Sequence, residues 1–152
     1  MLLAELIKEK DYIEESINHV RDYISETLSV YDRTEFKINK SLIDSKIEEL
    51  RDLCTKYQQF SVTVERAKAK SVIKVNDSEI SLLDATAIKN SMVTKLDALH
   101  RISAAAIMAN AEGDVLLCVD IDALLEEMKE IRSDINALDS KIDHATWNVE
   151  VS

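Results

Sequence analysis

The chain has 152 residues, 46% hydrophobic and 32% charged, with one glycine, no proline, 5% aromatic content and a net charge of −10. That length suits one domain with a real core, and the scarcity of helix breakers and aromatics favours amphipathic helices over a packed β-sandwich. Residues 1–76 sum to −1 and residues 77–152 to −9, so the second half repels phosphate backbones and anionic lipid, and general nucleic-acid binding is disfavoured.

The spacing predicts a first helix over about 2–28, with Leu3, Leu6, Ile13, Ile17, Val20 and Ile24 on one face and Lys10 breaking the register. Glu5 inside the opening apolar stretch, and no basic lead-in, argue against a signal peptide. No apolar run reaches the roughly 20 residues of a membrane-spanning helix, so a cytoplasmic, soluble protein without a membrane span is expected. Ser29 to Asn39 reads as a connection, because the period is lost among Tyr31, Arg33, Phe36 and Lys37. Ser41 then caps a second helix over about 41–69, on which Ile43, Ile47, Leu50, Cys54, Tyr57 and Val64 recur at three and four. Both cysteines, Cys54 and Cys118, are expected to be buried and reduced.

Near Ala69 the helical period fails. β-Branched residues flank Asn76-Asp77, a pair suited to a tight turn, so residues 71–80 read as a small hairpin or extended loop. Ser81 caps a third helix over about 81–110, with Asp84 at its third position and an apolar face of Leu82, Ile88, Met92, Leu96, Leu99, Ile102 and Ala106. Gly113 falls in the following turn. Asp120 opens a fourth helix over about 120–146 that frays after Trp147. Its apolar residues Ile121, Leu124, Met128, Ile131, Ile135, Leu138, Ile142 and Ala145 step 3-4-3-4-3-4-3, a heptad seam suited to a partner helix or a second copy. The expected fold is a single all-α domain over 1–152. It is an antiparallel bundle of about four long helices that forms a homo-oligomer through its heptad seams.

The residues Leu3-Ala4-Glu5, Leu50, Ser78 to Ala85, Val119-Asp-Ile-Asp122, Leu138-Asp139, Lys141-Ile142 and Trp147-Asn148 resemble the small bacterial helical family that carries the name septicolysin. The resemblance spans Leu3 to Val149. It departs before Val119, where the family has a basic, tyrosine-containing stretch and this chain has residues 113–118. The resemblance implies an all-helical fold. The name implies membrane activity, which ranks as a distant reading because fold does not fix function.

Catalytic and metal signatures are weak. His19, His100 and His144 have no Cys or His three or four residues away to make a zinc pair. Asp120 and Asp122 read as a helix start rather than a general acid/base pair. No serine lies in a glycine-flanked elbow, and one glycine allows no phosphate-cradling loop. Neither enzymatic activity nor a cofactor is expected. The one cationic cluster is Arg66, Lys68, Lys70 and Lys74. Its plainer meaning is a solvated helix end whose cations complement the dipole. Its sharper meaning is a pocket for a small anionic, nucleotide-like ligand, completed by Arg33 or Arg101 from another subunit, with Tyr57 and Phe60 offering a stacking face or serving as core aromatics. The leading expectation is therefore a homo-oligomer that binds or sequesters such a ligand, for instance a phage protein removing a host immune signal. The alternative is a structural or protein-interaction module.

Overall fold

The computed structural model describes residues 1–29, 36–111 and 119–152, with backbone alone at 36–39 and 110–111. Four helices and one hairpin follow in order: α1 (Leu3–Ser29), α2 (Phe36–Lys70), β1 (Val72–Val75), β2 (Ser78–Ser81), α3 (Leu82–Ala111) and α4 (Ile121–Thr146). The class is all-α, as the periodicity predicts. The chain divides into two compact units, residues Met1–Ala67 with Trp147–Ser152, and Lys68–Thr146.

In the first unit α1 and α2 run antiparallel. The Tyr57 hydroxyl meets Glu14 Oε2 at 3.4 Å and the Lys46 ammonium lies 5.7 Å from the Tyr23 ring centroid, so residues late in one helix face residues early in the other. Leu3, Leu6, Ile13, Val20 and Val64 form the core. Helix α2 starts before the expected Ser41 cap, at Phe36. No Gly or Pro between Phe36 and Ser41 stops the helix, so Ser41 lies inside it. Its half-buried positions include Leu50, Leu53, Tyr57 and Phe60 ahead of the buried Val64, so Leu53 rather than Cys54 occupies the seam. Cys54 is exposed and free, which corrects the expectation of a buried thiol. Tyr31, Arg33, Gly113 and Cys118, and the side chains of Phe36 and Lys37, lie outside the described residues.

Helix α4 ends at Thr146, about where its fraying is expected, and the residues after it are tied to α1. Val149 O accepts a hydrogen bond from Leu3 N at 2.8 Å, Val151 N donates to Met1 O at 2.9 Å, and Leu2 bridges Glu150. The chain's last residues thus satisfy donors and acceptors around the α1 N-terminus that the helix cannot satisfy itself. Lys8 sits 4.5 Å from the Trp147 ring centroid and holds the turn against α1.

In the second unit the hairpin forms where it is predicted. Asn76 and Asp77 take φ of 49° and 63°, the double left-handed turn that matches strand twist. The register pairs Val72 with Ser81 and Ile73 with Ile80. Ser71 O accepts from Leu82 N at 2.8 Å, and Ser81 Oγ caps α3 by accepting from Asp84 N at 2.9 Å. Asp120 Oδ1 caps α4 in the same way, from Ala123 N at 3.0 Å.

Candidate functional site

Helices α3 and α4 pack antiparallel along most of their length. Lys89 Nζ reaches Asp139 Oδ1 at 2.7 Å, and Lys95 Nζ reaches Glu127 Oε1 at 2.7 Å; the earlier lysine meets the later carboxylate. On α4 the heptad stripe does face inward: Met128, Ile131 and Leu138 are buried, and Ile121, Leu124, Ile135, Ile142 and Ala145 half-buried, within one chain. This stripe, expected as an oligomer seam, is lined here by α3 of the same chain.

The register of α3 is where sequence and structure part. Its less exposed positions are Leu82, Ala85, Lys89, Met92, Leu96, Leu99, Ser103 and Ala106, again at threes and fours. Ile88 and Ile102, expected on that face, lie outside it, 42% and 48% exposed. Lys89 and Ser103 take the seam positions beside them. Lys89 tolerates its place because its stem packs while its ammonium reaches Asp139, and Ser103, a small residue, is buried. The displaced isoleucines, with Val93, Ile107 and Met108, leave α3 apolar on its flanks as well as on its seam. A helix that is apolar around most of its girth is normally covered on more than one side. The available signal was the excess itself: α3 holds more aliphatic residues than one seam uses.

The flank has a definite layout. Ile88, Lys95 and Ile102 recur every seven residues on one side of α3, and Glu127, Asp134 and Lys141 do so on α4. The Lys95–Glu127 pair places both rows on the same side. At its hairpin end lies a groove of about 310 Å³ lined by Val75, Ile80, Ile88, Met92, Leu138 and Lys141, among others.

The cationic residues fall in both units. Tyr57 and the exposed Arg66 belong to the first unit; Lys68, Lys70, Lys74 and Arg101 belong to the second. Tyr57 and Phe60 are half-buried on the α2 seam, Tyr57 bonded to Glu14. Lys74 pairs with Asp77 at 3.7 Å and Arg101 with Asp97 at 3.1 Å. Arg101 stands about 28 Å along α3 from Leu82 and the hairpin, at 1.5 Å per residue, so one chain does not bring it to Lys74. What Lys74 does join is a group absent from the sequence-based set. With Ser140, Lys141 and His144 it lines a concavity of about 540 Å³ between β1 and the end of α4, where Lys141 Nζ donates to Lys74 O at 3.4 Å.

Among the described residues, no three His, Cys, Asp or Glu side chains are placed to hold a metal ion, and no helix is long and apolar enough to cross a membrane. No family model matches the chain, and no curated protein or solved structure matches it.

Proposed function

We propose that the chain is a non-enzymatic helical interaction module whose docking surface is the apolar flank of α3. One observation carries this reading: Ile88 and Ile102, on the Lys95 side of α3, remain 42% and 48% exposed after α3 has packed its seam against α4. Completing their burial stabilises a complex by about 1 kcal/mol each, given 1.5–3 kcal/mol for a fully buried aliphatic side chain. Surface of that kind, grouped on one helix, marks an interface rather than scattered exposure.

The test is the double substitution Ile88→Ser/Ile102→Ser. Residues that contact only a partner leave helicity and the melting temperature of dilute protein within about 2 °C of wild type. A lower melting temperature at every protein concentration would assign them to a core and end the reading.

A second reading keeps the small anionic ligand and moves it to the concavity of Lys74, Ser140, Lys141 and His144. Two ammonium groups, an imidazole and a hydroxyl suit a phosphate or carboxylate. The α4 C-terminal carbonyls beside them oppose an anion, so this reading is the weaker. Calorimetric titration with inorganic phosphate and a nucleotide panel, against wild type and Lys74→Glu/Lys141→Glu, decides it: heat from the wild type alone supports the site, and no heat removes it.

A further inference from the structure

We propose that the partner on the α3 flank is a second copy of this chain, docked so that α3 of each copy lies against α4 of the other. This deepens the interaction reading and rests on it.

Charge selects the arrangement. Helix α3 carries three Lys and Arg against two Asp, whereas α4 carries three against seven Asp and Glu. Two antiparallel helix pairs stack face to face about a twofold axis in one of two ways. With the axis across the helices, α4 lies on α4 and two strongly acidic helices meet. With the axis along the helices, α3 lies on α4 in both halves of the interface. A nearly neutral, slightly basic helix then faces an acidic one twice.

The heptad row on the flank fits the second arrangement. An axis along the helices preserves the height of every residue, so Lys95 stands level with Glu127 of its own chain and Glu127 of the partner subunit. Each ammonium then serves two carboxylates, and each carboxylate two ammoniums. Ile88 and Ile102 flank that polar pair one heptad away on either side, and Ile88 comes level with Asp134 and Lys141 of the partner subunit, so the interface is mixed and the charged layer fixes register. Ile88 also edges the 310 Å³ groove formed with the hairpin, which lends the partner a concave seat. From Ile88 to Ile102 the face runs about 21 Å. Across two helices each about 10 Å wide, it offers on the order of 400 Å² per copy, about half of the roughly 800 Å² per partner of standard-size interfaces.

Sedimentation equilibrium of the full chain over a micromolar range tests the proposal, with circular dichroism and thermal melts on the same samples. The expected result is twice the 17.2 kDa chain mass and a melting temperature that rises with concentration. Ile88→Glu/Ile102→Glu is expected to sediment at the chain mass with unchanged helicity. Lys95→Glu, at a position already 58% exposed, keeps the fold but sets like charges against Glu127 of both copies, weakening association by about tenfold or more. A wild type at the chain mass with a concentration-independent melt overturns self-association and leaves the flank to a different protein. Loss of helicity in both flank variants at every concentration overturns the interaction reading as well. Unchanged dimerisation by Lys95→Glu overturns the α3-on-α4 orientation.

Discussion

Ser61 is the one buried side chain among the described residues whose polar atom, Oγ, lacks a hydrogen-bond partner. It sits on α2 beside the seam position Phe60. Burying an unmatched hydroxyl costs free energy that an apolar side chain does not. Ser61→Ala, which also raises helix propensity, is expected to stabilise the first unit by about 1 kcal/mol. A urea melt that leaves the midpoint unmoved or lowers it would show that the hydroxyl is satisfied after all. Cys54 carries the complementary lesson. It follows Leu50 by four residues and so satisfies a helical spacing rule, yet Leu53 satisfies the same rule at three and is the larger apolar group. Spacing alone admits both, and packing takes the leucine.

The hairpin and the caps of α3 and α4 were readable because their signals are local, whereas Ser41 carries the same signal inside α2. Asn76-Asp77 between β-branched runs specifies a turn with two positive φ values, and both appear at 49° and 63°. Ser81 and Asp120 announce helix starts by their own side-chain oxygens, and both accept the expected backbone bonds. The same local logic yields a prediction. Asp77 holds a left-handed φ that costs a residue with Cβ, and its exposed pairing with Lys74 at 3.7 Å returns little. Asp77→Gly creates the favoured Asn-Gly turn, with an expected gain of about 0.5–1 kcal/mol in a denaturant melt; a loss would mean that Asp77 has a role beyond the turn. The register of α3 was not readable in the same way. Ile88 and Lys89 are adjacent, as are Ile102 and Ser103, and hydropathy alone puts the isoleucines inside. The inner face instead follows the row that meshes with α4, and Lys89 earns its place through Asp139, fifty residues away. A pairing that distant leaves no trace in a window of sequence.

The two chain ends meet in the first unit, and that junction makes a demand on stability that neither end meets alone. Leu3 is fully buried, and its amide, at the first turn of α1, has no partner within the helix. Val149 O supplies one at 2.8 Å, while Val151 N takes up Met1 O at 2.9 Å. Removing residues 149–152 leaves Trp147 stacked by Lys8 but strands the Leu3 amide and uncovers part of the Leu3 side chain. An unmatched buried donor costs about 1–3 kcal/mol, and the uncovered apolar surface adds to it, so a loss of about 2–4 kcal/mol is expected. Trp147 is the single tryptophan, and its fluorescence reads this junction directly. The truncated chain should show an earlier Trp147 transition in a guanidinium melt, with a slope m close to that of the full chain because little exposed surface is removed. An unshifted transition would mean that the terminal bonds are replaced by water without cost, and that the burial of Leu3 depends on α1 and α2 alone.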